Sequence, residues 1–427
     1  MKKVRTADDS ILSDEFLRQL INVGEVDLLV GLPTHNNAKT IGAIVATIQA
    51  GLLSVFPRER AAIINADGGS QDGTPELVLS AAIDDVRRGS RVPALRTLHV
   101  ISTQYASSPT RGTALQSILA AGELLRAKAC VVVSPESTQV QTDWLAKLLR
   151  PVYAGEFDFV LPTYSRHRFD GILLTNLLYP MTRALYGLRI REPYAFDFAF
   201  SGSLGSQFLA QNAWQDETAR AGSETYFTLN AIAGHARICQ SFLGTREHVE
   251  RRSSDLIPAL RQTAGALFSS LGPQAALWRA NSGSQPIPTI GPDREFTLEP
   301  LRVNRKRLRE MFSTGVVELE SVFQTILSAS TLEELRRIDR LAETEFRYPA
   351  ELWVKTIYEF AAAYQKSVIN RDHILQALAP LFRGRAFTFL VENRNGSADT
   401  VEDNIEALCL EFERGKPYLL ELWNGRE

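Results

Sequence analysis

Short apolar runs alternate with helical periodicity through the first third of the chain. Four runs rich in valine, isoleucine, leucine and alanine predict buried strands, at 25–33, 61–67, 95–103 and 130–133. Helices are predicted between them, one with Ile41, Ile44, Val45, Ile48 and Leu52 on a single face, one from about residue 75, and one over 113–126. Alternating strands and helices predict an α/β fold with a mostly parallel, doubly wound sheet.

The pattern changes in the last third of the chain. Residues 282–300 are rich in proline and glycine and predict a linker. Beyond them, apolar residues at three- and four-residue steps, such as Trp353, Ile357, Phe360 and Tyr364, indicate helices. We therefore predict an α/β domain over 1–281, a linker over 282–300, and an all-helical domain over 301–427.

Three polar turns follow predicted strands: PTHNN at 33–37, DGGSQDG at 67–73 and SPES at 134–137. The carboxyl ends of parallel strands meet at one edge of a sheet, which is where such sheets bind ligands. These turns are therefore expected to lie together. In the first of them, Asn36 or Asn37 is expected to cap the following helix.

The DGGSQDGT segment has two interpretations. Asp72 and Gly73 suit a tight turn, because Asp-Gly and Gly-Gly pairs are common in turns. Alternatively, Asp67 accepts hydrogen bonds from a nucleoside while the glycines let its ring approach the backbone. The chain contains neither GxGxxG nor GxxxxGK[ST], so no dinucleotide or P-loop motif is indicated.

Charge, cysteine spacing and the length of apolar runs exclude several classes of partner and site. The formal net charge of −2 over 427 residues gives no reason to expect a nucleic acid or an anionic membrane as partner. The three cysteines lie far apart without CxxC spacing, which argues against a disulfide framework or a zinc site. The first twenty residues lack an apolar signal-peptide core, and no long apolar run predicts a membrane span. A cytoplasmic protein is the expectation.

Several segments together resemble one enzyme family. They include LPTHNNAKTIG (32–42), NADGGSQDGT (65–74), TRGTAL (110–115), PTYSRHRFDG (162–171), YPMTRALYGLRIREPYAFDFAFSG (179–202), LGTREH (243–248) and, near the C-terminus, FRYPAELW, PLFRGRAFTF and KPYLLELW. In order and spacing they are similar to GT-A glycosyltransferases of the family 2 type. They most resemble the retaining glucosylglycerate and mannosylglycerate synthases, including glucosyl-3-phosphoglycerate synthase-like enzymes. The resemblance covers nearly the whole chain.

The resemblance implies a GT-A fold with a helical C-terminal domain, homodimer formation, and a transfer reaction. The donor would be a UDP- or GDP-hexose, and the acceptor a small hydroxy acid such as glycerate or phosphoglycerate, with retention at the anomeric carbon. The nucleotide-binding residues it implies are Pro33, Thr34, Asn36, Asp67, Gly69, Arg111 and Ser134. The catalytic residues it implies are Asp197, Glu224, Arg166 and His167.

The resemblance also implies a divalent cation, Mn²⁺ or Mg²⁺. Where the family carries D-x-D, this chain has Ser134-Pro135-Glu136, so one carboxylate remains. Glu136 and His248 match metal ligands of the family. Their chemistry is suitable, because hard cations bind carboxylates and substrate phosphates, and an imidazole suits manganese. The alternative interpretation is that Glu136 only caps the turn after the strand. A weakened metal site is the expectation.

Other departures leave alternatives open. Gly222-Ser223-Glu224-Thr225-Tyr226 stands where the family has G-I-D-I-W, and Ala195-Phe196-Asp197-Phe198 stands where it has G-G-D-F. A non-catalytic descendant that binds a nucleotide sugar or a partner is therefore the alternative function. Arg166, His167 and Arg168 either face a phosphate or carboxylate, where arginine binds as a fork, or form a solvated basic edge.

Overall fold

The computed structural model describes residues 12–87, 98–104, 110–211, 214, 221–246, 256–292, 295–297 and 304–425. The contacts divide the chain into two compact units. The first comprises Met1–Thr163, Ala195–Leu243 and Pro288–Asp293, and the second comprises Tyr164–Tyr194, Gly244–Ile287 and Arg294–Glu427. The second unit thus takes in two segments that precede the predicted linker. The domain boundary at 282–300 remains a prediction.

The strands are β1 (Leu28–Thr34), β2 (Ala61–Asp67), β3 (Leu98–Gln104), β4 (Ala129–Val132), β5 (Phe159–His167), β6 (Phe198–Ser201), β7 (Ile238–Thr245), β8 (Thr289–Ile290) and β9 (Glu295–Thr297). Their order in the described sheet is β3-β2-β1-β4-β6-β5-β7-β8, and β9 pairs with the end of β5 inside the second unit. The strands β3, β2, β1 and β4 are parallel, while β6 is antiparallel to β4 and β5. The sheet is therefore mostly parallel.

The helices of the first unit are α1 (Asp14–Val23), α2 (Ile41–Val55), α3 (Thr74–Arg87), α4 (Arg111–Leu124), α5 (Trp144–Tyr153), α7 (Gly202–Leu209) and α8 (Ser223–Ala233). Among them, α4 packs on β1 and β2, and α5 packs on β4 and β6. The strands β1 and β2 are buried throughout. Close packing requires a glycine in β1, because a Cβ at Gly31 would lie 2.5 Å from Ile118 of α4.

The helices of the second unit are α6 (Tyr179–Tyr186), α9 (Leu256–Leu260), α10 (Ala266–Leu271), α11 (Ala275–Ala280), α12 (Arg305–Glu318), α13 (Glu320–Ile326), α14 (Ala329–Asp339), α15 (Ala350–Lys366), α16 (Arg371–Glu392) and α17 (Ala398–Asn424). Two π-helical turns, Leu174–Leu178 and Arg261–Gly265, precede α6 and α10. Buried aromatic side chains form much of this unit's core, among them Trp278, Tyr348, Trp353, Tyr358 and Tyr364.

The predicted α/β class, with a mostly parallel sheet and C-terminal helices, is confirmed. The predicted cap of α2 is wrong. Thr40 is the N-cap residue and makes no side-chain cap bond, while Asn36 and Asn37 bond to residues of the two turns instead. One described helix, α16, is long and apolar enough for a membrane span, but 83% of its most apolar window is buried, as in a core helix.

Candidate functional site

The turns after β1 and β2 meet because the two strands are parallel and in register, with Thr34 opposite Asp67. The Asp67 carboxylate is 2% exposed and lies at the centre of this junction. One oxygen accepts bonds from the hydroxyls of Thr34 (3.0 Å) and Ser70 (2.6 Å), and the other accepts from the backbone amides of Gly69 (2.9 Å) and Ser70 (2.8 Å). Asp67 therefore holds its own turn.

A second set of bonds joins the two turns. The amide of Asn36 donates to the Ser70 hydroxyl, and the Asn36 side chain accepts from the amide of Gln71. The Asp72 carboxylate accepts from the amide of Ala38 and from Thr74. Asn36 has a positive φ of 56°, a conformation that asparagine tolerates well. The side chains of Asn36 and Asp72 are exposed, so this braced pair of turns presents polar groups to solvent.

The SPES turn follows β4 at the same edge and is held from beneath by Asp197. Because β6 is antiparallel to β4, with Phe198 opposite Val132, the residue before β6 reaches the turn after β4. The fully buried Asp197 carboxylate accepts from the Ser134 amide (2.8 Å) and from the Ser137 hydroxyl (2.9 and 3.1 Å). Asp197, predicted to be catalytic, thus bonds to the turn.

Within the SPES turn, Ser134 is buried and Glu136 is exposed. The Ser134 hydroxyl accepts from the Glu136 amide (3.3 Å), so residue 134 acts as the local turn cap. The carbonyl of Pro135 accepts from the Thr40 hydroxyl at 2.6 Å, which ties this turn to the start of α2. The Glu136 side chain is therefore carried on a fixed turn and faces solvent.

Arg111 begins α4 and is held on two sides. Its Nε donates to the carboxylate of Glu224, at the start of α8, and its Nη2 donates to the carbonyl of Phe196 (2.9 Å). The guanidinium carbon also lies 4.5 Å from the centre of the Phe196 ring, a cation–π contact. The Arg111 side chain remains 23% exposed, whereas that of Glu224 is 2% exposed. A partly solvated cation therefore stands at this edge with a buried counter-ion.

Arg166 and His167 belong to the second unit and are not a solvated edge. Arg166 binds both oxygens of Glu192 at 2.7 Å and also Asp170 at 2.9 Å, and its side chain is 12% exposed. Burial alone would lower the pKa of Arg166, but these two carboxylates outweigh it and raise that pKa. The buried His167 accepts from the amide of Phe169 through Nδ1 (3.1 Å).

Of the two predicted metal ligands, the structure describes only Glu136. Glu136 supplies one exposed carboxylate, and His248 lies outside the described residues. Within the part of the chain that the structure describes, no group of three or more histidine, cysteine, aspartate or glutamate side chains could hold a metal ion. Mg²⁺ and Mn²⁺ are commonly bound through one or two carboxylates together with substrate phosphates. This donor set fits an ion that arrives with a phosphate ligand.

In the first unit, the structure brings together most of the residues that the resemblance named. Pro33 and Thr34 end β1, Asp67 ends β2, Gly69 adopts the positive φ of 84° that its turn requires, and Arg111, Ser134, Asp197 and Glu224 lie in the contacts above. Sequence reasoning missed Thr40, Ser137 and Glu192. Thr40 lies directly before the predicted helix and Ser137 lies in the SPES turn, so both carried a local signal, whereas Glu192 gave none.

No protein-family model and no curated protein matches the chain. Solved structures do. Glucosyl-3-phosphoglycerate synthase from Mycobacterium tuberculosis in complex with phosphoglyceric acid is 20% identical over 63% of this chain and 86% of that chain, with a TM-score of 0.43. The same enzyme with Mg²⁺ and uridine-diphosphate is 21% identical over 60% and 83%, with a TM-score of 0.43.

Mannosyl-3-phosphoglycerate synthase from Rubrobacter xylanophilus is 20% identical over 63% of this chain and 80% of that chain, again with a TM-score of 0.43. Identities near 20% and TM-scores below 0.5 leave the function of this chain to be argued from its own residues.

Proposed function

We propose that this protein is a GT-A glycosyltransferase that moves a hexose from a nucleoside-diphosphate sugar to a small hydroxy acid. The observation that carries the proposal is the junction of three turns at the carboxyl edge of β1, β2 and β4, beside the partly exposed Arg111. Sheets of this type bind ligands at that edge. The order of family-like motifs along the chain supports the same assignment.

The nucleoside is proposed to lie against the turns after β1 and β2. Gly69 is half-buried and Asn36 presents an exposed amide, while Pro33 and Thr34 form the buried end of β1 next to them. Asp67 is proposed to act by shaping this surface, because both of its oxygens already accept two hydrogen bonds. The uridine or guanosine base would then be recognised by the backbone and side chains of these turns.

The diphosphate is proposed to lie between Arg111 and the SPES turn. Among the described residues, Nη1 of Arg111 has no hydrogen-bond partner, so it can donate to a phosphate oxygen. Glu136 and His248 would hold a divalent ion with the diphosphate, and that ion would neutralise charge on the leaving group. Ser134 would line this site through its backbone.

The chain offers position and charge for the transfer. An arginine held in place before the reaction costs no reorganisation when charge develops on the leaving diphosphate. The acceptor hydroxyl is proposed to attack on the face that the diphosphate leaves, with retention of configuration. A catalytic role is also proposed for Arg166 and His167 of the second unit. Since Arg166 is already bound to Glu192 and Asp170, its part would be to fix the backbone there.

A donor and acceptor screen tests the proposal. The protein is incubated with Mn²⁺, UDP- or GDP-glucose or -mannose, and glycerate or 3-phosphoglycerate, and products are read by mass spectrometry and by the anomeric proton signal. We expect one α-glycoside above the level of a Glu136→Ala, Arg111→Ala double variant. Nucleotide-sugar binding without any product would support the non-catalytic alternative, and neither binding nor product would contradict the proposal.

A cytoplasmic location and a homodimer complete the proposal. Both come from the resemblance and from the composition, and sedimentation of the purified full chain tests the second.

A further inference from the structure

Two consecutive residues, Phe196 and Asp197, contact both charged parts of the proposed diphosphate site. Phe196 holds Arg111 with its carbonyl oxygen, at 2.9 Å from Nη2, and with its ring, 4.5 Å from the guanidinium carbon. A ring face and a carbonyl oxygen both attract a guanidinium. Together with the carboxylate of Glu224, they fix the direction in which the cation points.

Asp197 holds the turn that carries Glu136. Its Oδ1 accepts from the backbone amide of Ser134, and both of its oxygens accept from the Ser137 hydroxyl. Charge-assisted bonds of this kind are about twice as strong as bonds between neutral groups. Because they grip the turn on both sides of Glu136, they set where the Glu136 backbone lies.

The dipeptide lies at a point that links the two parts. Phe198 begins β6 directly after it and pairs with Val132 at the end of β4, so the dipeptide is fixed to the sheet next to the SPES turn. Arg111 and Glu136 lie on elements that start after β3 and β4, far apart in the chain. This dipeptide therefore contacts Arg111 directly and also contacts the turn that carries Glu136.

We propose that Phe196 and Asp197 are positioning residues that set the spacing between the cation and the carboxylate of the diphosphate site. Residue 196 acts on Arg111, and residue 197 acts on the turn of Glu136. The inference rests on the proposed function for the identity of the ligand. It predicts that neighbouring substitutions have separable effects, one independent of the metal ion and one dependent on it.

The first measurement needs no ligand. Hydrogen exchange of peptides spanning 130–140 is compared in the full-length parent, Asp197→Ala, Asp197→Asn and Phe196→Leu. We expect exchange about tenfold faster in Asp197→Ala, because the Ser134 amide loses its acceptor. A tenfold change corresponds to about 1.4 kcal/mol. Asp197→Asn keeps an oxygen for that amide and should restore most of the protection. Phe196→Leu should exchange like the parent.

The second measurement is calorimetric binding of UDP and of GDP with and without Mn²⁺. One of the two nucleotides should bind the parent, and Phe196→Leu should weaken that binding about threefold to tenfold, both with and without Mn²⁺. Asp197→Ala should lose the gain that Mn²⁺ gives the parent and keep the metal-free affinity. Phe208→Leu is the matched control, since this buried ring packs on Phe227, and it should bind like the parent.

The outcomes separate the inference from the proposed function. If the parent binds neither nucleotide, the proposed function fails, while the exchange data still decide whether Asp197 holds the turn. If the parent binds but both variants lose affinity alike in both conditions, the separate roles of residues 196 and 197 are refuted. Should Asp197→Ala not fold, Ser137→Ala removes one of the same bonds and must reduce the Mn²⁺ gain.

Discussion

The guanidinium of Arg111 donates to the carboxylate of Glu224 across 113 residues of sequence, from the first turn of α4 to the first turn of α8. The side chain of Glu224 is buried, whereas Arg111 keeps some contact with solvent. The resemblance assigned Arg111 to nucleotide binding and Glu224 to catalysis, and the structure makes them one ion pair. Substitutions at the two positions should therefore not be additive.

We predict that Arg111→Ala lowers the free energy of unfolding by about 2 kcal/mol, because it strands a buried carboxylate. Fully buried pairs lose about 3–5 kcal/mol, and the partial exposure of Arg111 places the effect below that range. The double variant Arg111→Ala, Glu224→Leu should recover part of the loss. Urea unfolding of the single and double variants measures the coupling, and simple additivity would show that the pair contributes nothing.

Asp67→Ala should destabilise the first unit by at least about 2 kcal/mol. It leaves the backbone amides of Gly69 and Ser70 and the Ser70 hydroxyl without their acceptor, whereas the Thr34 hydroxyl keeps its bond to Asn65 at 2.7 Å. Unsatisfied buried donors cost about 1–3 kcal/mol each. Asp67→Asn keeps one acceptor oxygen and should lose less. Thermal unfolding checks the order, and equal melting temperatures for Asp67→Ala and the parent would contradict it.

Two glycines near helix starts should respond differently to substitution by alanine. A Cβ at Gly202, in α7, would overlap the carbonyl oxygen of Ala127, whereas a Cβ at Gly42, in α2, meets nothing within 4 Å. We expect Gly202→Ala to cost about 1–3 kcal/mol. Gly42→Ala should be neutral or stabilise by up to about 1 kcal/mol, since alanine has less freedom to lose. Denaturant midpoints of the two variants give the comparison.

Lys416 gives the second unit a pH dependence. Its Nζ donates to the carbonyl of Asn281, and burial lowers its pKa from 10.5 to about 8. Between pH 8 and 10.5 the unfolded chain therefore binds more protons than the folded one, and the free energy of unfolding rises with pH. Measured against Lys416→Met, the parent should gain stability from pH 8 to 10. A flat difference would mean that Lys416 titrates normally.

The sequence predicts the sheet well because β1, β2 and β4 are buried throughout, and helices separate the first four strands along the chain. All seven residues of β1 and of β2 are buried, so the apolar runs mark these strands directly, and β2 is predicted at its observed bounds. The turn at 33–37 was harder. Asn36 and Asn37 have the chemistry of helix caps, but their bonds go to residues of the two turns.

The candidate site was predictable in its location and less so in its internal bonds. Strand order along the chain brings the three turns to one edge, but which group each carboxylate holds depends on tertiary packing. Asp197 bonds to the SPES turn because β6 runs antiparallel to β4, and no local pattern near residue 197 indicates that direction. The same applies to Arg166, whose partner Glu192 lies 26 residues away.

The most direct test of the central claim is titration of UDP and GDP into the full-length protein, with and without Mn²⁺, for the parent, Glu136→Ala and Ser134→Asp. One exposed carboxylate should bind the ion poorly alone, so metal and nucleotide should strengthen each other's binding reciprocally. We expect the parent to show this coupling, Glu136→Ala to lose it, and Ser134→Asp to increase it. If Glu136→Ala keeps the parent's Mn²⁺ dependence, or if the parent binds neither nucleotide, this account of the SPES edge is contradicted.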